Sequence, residues 1–440
     1  MKNNKKELYI SHVGPITGEV KLNLKRFNVF IGPQSSGKST ISKLISTLSW
    51  MEKEACTTLS ENVLPEGKTF KQFVEDYHRM HGYIDEATSV VKYESEYVTI
   101  IYDKGVYGLT LKEKSIEYER VKVSYVPSDR NVITMRDIQL RNLDETNFRS
   151  FLFDWLEARR SFDSSNMADI LALDVKYYFD VDNERSSSIN PDRITHHNGK
   201  TYDISLYDAS SGLQSAVPLV VLMAYLKDQY FKNYGKTISF DVTKREEDLM
   251  LRLLEHVLFP VVPHLPTESI VDVYRKVRKE IQEGRTEYNA LIEQVQNSFA
   301  KLNHPQSISY IIEEPEQNLF PLTQCDLIKY IISACNEKDH ISSAVITTHS
   351  PYVLAMINSQ ILAGLLLKQG VEERTINEII PISCAINDDE IGVYAVDEGS
   401  CKPIKDKEMG MINQNYLDTA SEYIAASFDK LYTLYIKTLK

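Results

Sequence analysis

A loop of small and polar residues, GPQSSGKST at positions 32–40, has the residue types and spacing that bind phosphate. It fits the pattern GxxxxGK[ST] through Gly32, Gly37, Lys38 and Ser39. Glycines let backbone N–H groups face phosphate oxygens, and a helix that begins here directs its positive end at the same oxygens. We expect Lys38 to contact the β- and γ-phosphates of ATP and the Ser39 hydroxyl to coordinate Mg²⁺. The predicted nucleotide-binding residues of the loop are Gly32, Pro33, Gln34, Ser35, Ser36, Gly37, Lys38, Ser39 and Thr40. The alternative is a glycine-containing turn with an incidental lysine.

Two adjacent carboxylates, Glu313 and Glu314, follow the apolar segment 308–312, which predicts a buried strand. Ligands of open parallel sheets bind at the carboxyl ends of strands. We expect Glu313 to serve Mg²⁺ through its water shell and Glu314 to act as the general base that activates water. The alternative is a solvated acidic loop in a chain that has 62 acidic residues.

Ser210, Ser211 and Gly212 open an apolar helical segment, and a helix that begins with serine and glycine is a second anion-binding arrangement. Because the loop 32–40 already binds one phosphate group, the second contact is expected from a facing subunit. A plain serine helix cap is the alternative. His349 follows the apolar segment AVITT, and it either contacts the γ-phosphate or caps the helix that begins near Pro351.

The predicted elements place these residues at strand ends and helix starts. Two strands are expected within 7–31, around YISHV and FNVFIG, and the second runs into the loop 32–40. Alternating apolar residues at 89–126 predict an antiparallel sheet. The spacing predicts helices over 55–85 and 146–160, most of 244–303, and a docked helix at the carboxyl end. A strand at 174–180 and a hairpin turn at Asn198-Gly199 complete the prediction. Arg130 contacts nucleotide or a neighbouring subunit, or forms an ordinary surface ion pair, which is the interpretation we favour.

Composition limits the class of protein. The 440 residues carry a net charge of −12, and 42% of them are hydrophobic, which excludes wholesale disorder and argues against a generally basic nucleic-acid coat. The longest apolar run, 216–226, contains a proline and is too short for a membrane span. The five cysteines form no CxxC pair, so reduced thiols in a cytoplasmic protein are expected.

The order of the motifs resembles that of the ABC-type ATPases of the SMC, RecF and OLD group. The supporting segments are GPQSSGKST, ASSGLQS, IIEEPEQNLFP and ITTHSPY, and the resemblance covers most of 7–52, 200–230 and 307–355. It implies an α/β fold: a P-loop ATPase head of ABC type, with a mixed, mainly parallel core sheet, an antiparallel β subdomain and a helical insertion. The head would comprise 1–234 and 304–440, and the insertion 235–303.

The resemblance also implies an ATP-hydrolysing enzyme that forms homo-oligomers, either dimers or a higher ring. Ser210 and Gly212 would touch the γ-phosphate of ATP bound to another subunit, and His349 would be the switch histidine. Lys38, Glu314 and His349 would form the catalytic set, with Ser39 and Glu313 serving Mg²⁺.

The segments IGPQSSGKSTISKLI and EEPEQNLFP look most like the AriA family, the ATPases of PARIS anti-phage defence systems, and next like the PtuA ATPases of Septu. The resemblance to AriA implies a separate AriB-like effector nuclease and a phage-encoded trigger as partners, with no membrane. A nuclease domain within this chain is not expected, since 91 residues follow His349 (440 − 349) and no convincing metal cluster occurs there. A RecF-like ATPase that clamps DNA and a non-enzymatic scaffold locked by ATP are the alternatives.

Overall fold

The structure is a computed structural model. It describes residues 5–135, 144–183, 190–196, 202–234, 240–406, 408–412 and 418–438. In chain order, its strands are β1 (Lys6–Val13), β2 (Ile16–Leu24), β3 (Phe27–Ile31), β4 (Val90–Glu94), β5 (Val98–Asp103), β6 (Val106–Leu111), β7 (Val121–Val126), β8 (Ala168–Asp169), β9 (Val175–Phe179), β10 (Asp192–His196), β11 (Asp203–Ser205), β12 (Ser307–Glu313), β13 (Ser343–Thr348), β14 (Ile391–Asp397) and β15 (Ser400–Pro403).

The helices lie between and after these strands along the chain. In chain order, they are α1 (Lys38–Thr58), α2 (Phe70–His78), α3 (Asn147–Arg159), α4 (Ser211–Asp228), α5 (Tyr230–Asn233), α6 (Phe240–Leu258), α7 (Ile270–Gln282), α8 (Asn289–Asn303), α9 (Pro321–Cys335), α10 (Pro351–Lys368), α11 (Glu373–Asn377) and α12 (Asp418–Thr438).

A six-stranded core sheet lies at the centre, with strand order β15-β14-β3-β13-β12-β7. Five neighbouring strands are parallel, and only the edge strand β15 runs antiparallel to its neighbour. All five residues of β3 are buried, as expected for a parallel strand that is covered on both faces. One face packs against α1, and the other packs against α3, α4, α9 and α10.

A five-stranded antiparallel sheet, of order β2-β1-β4-β5-β6, forms a second layer. Its strands alternate buried and exposed residues, because one face meets α1 and the other faces solvent. Apolar side chains of this sheet, among them Ile10, Val20 and Ile100, share a buried cluster with Leu44 and Leu48 of α1. The predicted α/β class, with a mainly parallel core sheet and an antiparallel β subdomain, is confirmed.

Several element predictions were wrong in detail. The segment 7–31 holds three strands rather than two, because the chain turns at Gly14 and returns as β2. The strand β7, predicted to belong to the antiparallel sheet, pairs parallel with β12 at the edge of the core sheet. Alternation alone does not identify a strand's partner, and this pairing joins residues about 185 positions apart. Within 55–85, only the end of α1 and the short helix α2 are helical.

A small antiparallel sheet of order β11-β10-β9-β8 contains the strand predicted at 174–180. The strands β10 and β11 pair as a hairpin would, with Thr195 opposite Asp203. The turn predicted at Asn198-Gly199 lies outside the described residues.

Helices α6, α7 and α8 occupy the region of the predicted insertion, and α6 and α8 pack against α1. The guanidinium of Arg252 donates to the carbonyl oxygen of Thr58 at 2.8 Å, and Arg245 donates to the Thr57 hydroxyl at 3.0 Å. Leu253 and Val295 join the same buried cluster as α1. The helical character of this region agrees with the expectation, and the boundaries 235 and 303 stay a prediction.

The carboxyl-terminal helix α12 was predicted to dock through one apolar face, and this prediction was wrong. Ile424, Phe428, Leu431 and Tyr435 are all exposed. The apolar spacing correctly indicated a helix, but spacing does not show whether another element covers it.

Among the described residues, one helix, α10, is long and apolar enough to cross a membrane, judged by length and composition only. Val353, Leu354, Ile357 and Ile361 on its inner face are buried beneath the core sheet. A core helix satisfies the same length and composition test.

Candidate nucleotide-binding site

The register of three parallel strands brings the predicted site residues to one edge of the core sheet. In β3 and β13, Ile31 lies opposite Thr348, while in β12 and β13, Glu313 lies opposite Thr347. The residues that follow these positions are Gly32, His349 and Glu314. The start of the loop, the histidine and the carboxylates therefore leave the sheet at the same level.

The loop 32–40 curls tightly between β3 and α1. Gly37 has φ = 108° and immediately precedes α1, and Ser35 is also left-handed, with φ = 59°. A Cβ atom at Gly37 would lie 2.5 Å from Ile16 Cδ1, and one at Gly32 would lie 2.0 Å from the Val396 carbonyl oxygen. Both glycines are therefore required by this backbone path.

Lys38 lies inside the curl. Its side chain is buried, and its ammonium group donates to the carbonyl oxygens of Gly32 at 3.0 Å and Pro33 at 2.7 Å. Burial lowers the pKa of Lys38 to about 8, against the opposing effect of Glu314, Glu316 and Glu313. A phosphate bound beside this ammonium would favour its charged form.

The other loop residues divide by exposure. Gln34 and Ser35 are exposed, and Pro33 and Ser39 are half-buried. Ser36 and Thr40 are buried, and the Ser36 hydroxyl has no hydrogen-bond partner among the described residues. A buried hydroxyl that is unpaired within the protein fits a loop that binds phosphate oxygens.

Glu313 is buried where β12 meets α1. Its Oε1 atom lies 3.3 Å from the Ser42 hydroxyl, which in turn lies 3.0 Å from the carbonyl oxygen of Ser39. The carboxylate and Ser39 are therefore held close to the same turn of α1. An oxygen-rich pair of this kind fits Mg²⁺ that keeps several water ligands.

Glu314 turns its side chain toward His349. Its backbone is left-handed, with φ = 43°, and its Oε1 atom accepts a hydrogen bond from His349 Nε2 at 3.1 Å. This hydrogen bond is the main cause that lowers the pKa of Glu314, with further lowering by the charges of His349, Lys38 and Arg130. Glu314 is therefore ionised near neutral pH, as a general base must be.

Glu316 was not among the predicted site residues, although it belongs to the same EEPE motif. Its Oε1 atom accepts from the Thr348 hydroxyl and from the backbone N–H of His349, both at 2.7 Å. Burial raises the pKa of this carboxyl group. Glu316 fixes the backbone from which His349 projects, and the third acid of the motif was the available signal.

Arg130 was expected to form a surface ion pair, and this expectation was wrong. The side chain is fully buried, and its guanidinium donates only to carbonyl oxygens in the hydrogen bonds that the structure describes. Burial lowers its pKa to about 10. The exposed ion pair of this segment belongs instead to Arg79 and Asp129, at 2.9 Å.

The start of α4 faces outward. Ser210 and Ser211 are exposed, Gly212 is half-buried, and the Ser210 hydroxyl accepts from the Leu213 N–H at 3.4 Å as a helix cap. A Cβ atom at Gly212 would approach the Asn318 carbonyl oxygen to 2.9 Å. The helix start thus packs against the loop after β12, while its two serines remain accessible.

The acidic segment 387–390 is a short turn. Asp388 and Asp389 pair with Lys368, both at 3.2 Å, and Glu390 pairs with Arg26 at 2.9 Å. Throughout the described ranges, no three His, Cys, Asp or Glu side chains converge as metal ligands.

No family model matches the sequence, and no curated protein matches it. Solved structures match in fold. An SMC head domain from Thermotoga maritima is 10% identical with a TM-score of 0.36, over 91% of this chain and 98% of that one. A structure of the recombination mediator RecF is 10% identical with a TM-score of 0.30, over 91% and 99%.

A dimeric ATP-binding cassette bound to ADP and Pi is 12% identical with a TM-score of 0.25, over 89% of this chain and 95% of that one. The fold class itself follows from this chain's own topology. A loop with the pattern GxxxxGK[ST] after a central parallel strand, carboxylates at the end of the next strand but one, and an antiparallel β layer over α1 give the fold expected from the sequence, a P-loop head of ABC type.

Proposed function

We propose that this chain binds ATP with Mg²⁺ and hydrolyses it to ADP and phosphate. The observation that carries the proposal is the position of Glu314, an ionised carboxylate oriented by His349 at the edge of the sheet where the loop 32–40 begins. Binding of nucleotide alone would not require an oriented base at this place.

The residues have separate roles in this proposal. The backbone of the loop and the Lys38 ammonium bind the phosphates, and Ser39 with Glu313 holds Mg²⁺, which supplies charge neutralisation when it is bound. Glu314 accepts the proton of the attacking water, and His349 orients Glu314 and contacts the γ-phosphate. The Glu316 carboxylate holds His349 in place by accepting a hydrogen bond from the backbone N–H of His349.

We further propose that each site is completed by a second copy of the chain, so that the protein is at least a dimer. The exposed start of α4 presents Ser210, Ser211 and a helix N-terminus to a facing subunit. Phe320 and Leu322, which follow the carboxylate loop (residues 313–318), are 70% and 69% exposed. Large apolar side chains exposed beside a site fit a surface that a neighbouring subunit covers.

The biological role we propose is that of a cytoplasmic ATPase subunit in a bacterial anti-phage defence complex of the PARIS type. In this role it holds or regulates a separate AriB-like effector nuclease that is released when a phage protein is sensed. The support is the resemblance of IGPQSSGKSTISKLI and EEPEQNLFP to the AriA family. Co-purification with a nuclease encoded beside the gene tests this role, and a chain that protects cells without any nuclease partner would contradict it.

A DNA-clamping ATPase related to RecF is the second candidate, and the resemblance of the motif order to the SMC, RecF and OLD group favours it. It predicts ATP-dependent DNA binding that weakens steeply with salt. The net charge of −12 argues against it.

Two variants test the enzymatic proposal. Lys38→Ala removes the charge that meets the phosphates, so we expect loss of nucleotide binding in calorimetry. Glu314→Gln is nearly isosteric, so we expect binding to persist while hydrolysis falls by roughly 100-fold or more. The matched control is Glu337→Gln, which alters a half-buried ion pair with Lys227. Normal turnover by the Glu314 variant would contradict the assignment of the base.

A further inference from the structure

We propose that Arg130 is a positioning residue that couples the two nucleotide sites of the dimer. It would fix the carboxylate loop, which serves the nucleotide of its own subunit, to the start of α4, which serves the nucleotide of the partner. This inference rests on the proposed function.

The first observation is how Arg130 binds the carboxylate loop. Its Nη1 atom donates to the carbonyl oxygen of Glu313 at 2.9 Å, and its Nη2 atom donates to those of Glu314 at 2.9 Å and Pro315 at 3.2 Å. Three consecutive carbonyl oxygens are thus bound by one planar group. The left-handed backbone of Glu314 is held by these bonds in the orientation that points its carboxylate at His349.

The second observation is that the same guanidinium reaches α4. Its Nε atom donates to the carbonyl oxygen of Ser215 at 2.9 Å. Ser215 lies in the second turn of α4, five residues after the cap Ser210. A single rigid guanidinium therefore joins the start of α4 to the carboxylate loop. A lysine has one side-chain nitrogen and would not span both.

A second link runs parallel to the first. The Asn318 side-chain amide donates to the Ser215 hydroxyl at 3.2 Å, and the Asn318 carbonyl oxygen lies in the space that a Cβ at Gly212 would need. The start of α4 and the loop 313–318 therefore move as one body.

The consequence concerns both sites of the dimer. When the start of α4 contacts the partner's nucleotide, its position is transmitted through Arg130 to Glu314 in its own subunit. Each site would then be activated by occupation of the other. Arg79 differs from Arg130 in this respect, because it forms an ion pair at the surface, whereas Arg130 connects the start of α4 to the carboxylate loop.

A double-mutant cycle on the full-length chain tests this coupling. Arg130→Lys and Ser210→Ala are made singly and together, and the turnover rate, the KM for ATP and the Hill coefficient are measured with Mg²⁺. We expect the wild type to hydrolyse ATP cooperatively, with a Hill coefficient above 1. We expect Arg130→Lys to lower the turnover rate by roughly 10-fold or more and to bring the Hill coefficient to about 1, with KM changed by less than about threefold.

The double variant should be little slower than the worse single variant, because both substitutions interrupt one connection. Independent effects that multiply would overturn the coupling while leaving the ATPase proposal intact. A wild type without hydrolysis would overturn both. The matched control Arg79→Lys, whose ion pair is exposed, should behave as the wild type.

A gentler variant covers the case in which Arg130→Lys does not fold. Ser215→Ala, inside the helix α4, removes only the hydroxyl that accepts the parallel bond from Asn318, so it should lower the Hill coefficient without changing the melting temperature by more than a few degrees. An unchanged Hill coefficient in this folded variant would overturn the inference.

Discussion

Glu314 and His349 form the hydrogen-bonded pair on which the proposed hydrolysis depends. The hydrogen bond from His349 Nε2 lowers the pKa of Glu314. The carboxylate therefore stays ionised at pH values at which an ordinary glutamate is protonated. A base works only when ionised, and hydrolysis should therefore be lost as the pH falls through this lowered pKa.

We expect His349→Ala to move the acid limb of the pH–rate profile to higher pH. Removing the donor raises the pKa of Glu314, so the carboxylate is protonated earlier as the pH falls. The turnover rate at neutral pH should fall at least about tenfold, because the base loses its orientation.

His349→Gln, which retains a donor, should lie between this variant and the wild type. Replacing the exposed His81 by alanine should leave the profile unchanged. An acid limb that does not move in His349→Ala would show that this hydrogen bond does not tune the base.

The sequence points to candidate site residues where they lie within short motifs. The loop 32–40 and the acids Glu313 and Glu314 lie within short motifs, so their spacing alone locates them. Arg130 could not be assigned in this way, because four of its five carbonyl partners lie about 85 and 185 residues away. A carbonyl group is present in every residue and leaves no mark in the sequence.

At the scale of elements, the backbone path of the loop 32–40 depends on its contact with the strand β14, which lies far along the chain from the loop. Gly32 lies so close to Val396 of β14 that a Cβ atom would meet the carbonyl oxygen at 2.0 Å. Backbone cannot move aside as the end of a flexible side chain does.

Gly32→Ala should therefore lower the free energy of unfolding by about 3 kcal/mol, measured by denaturant titration. Gly108→Ala is the matched control, since Gly108 lies in the exposed strand β6 and an added Cβ there meets nothing within 4 Å. Equal stability of the two variants would mean that the contact between β3 and β14 is looser than the structure shows.

The order and type of most elements were predictable, but their partners were not. Apolar alternation identified β7 as a strand, yet its pairing with β12 depends on a contact between distant segments. The same limit applies to α12, whose apolar spacing predicts a helix equally well whether it is covered or exposed.

At the scale of the whole molecule, the account requires that two copies meet over the carboxylate loop. Leu322→Glu should weaken ATP-dependent dimerisation at least about tenfold, because it places a charge in the apolar contact. Light scattering with Mg²⁺ and ATP, in the non-hydrolysing Glu314→Gln background, measures the effect.

Val106→Glu is the matched control for this measurement. Val106 is 71% exposed and Leu322 is 69% exposed, but Val106 lies on the antiparallel sheet. Equal weakening by both substitutions would show that Leu322 has no special position in the contact.

Mixing two inactive variants tests the shared site most directly. Lys38→Ala removes the ammonium group that would bind the phosphates. Ser210→Arg blocks the start of α4 that a partner subunit would present to the nucleotide. In a mixed dimer, one site combines an intact Lys38 from one subunit with an intact Ser210 from the other. Equal mixing should therefore restore ATP hydrolysis, because half of the dimers are mixed and each has one whole site. About one quarter of the wild-type rate is the upper limit, and the proposed coupling lowers it, since the second site of a mixed dimer cannot be occupied and cannot activate the first. A mixture as inactive as its two components would contradict a nucleotide bound between subunits.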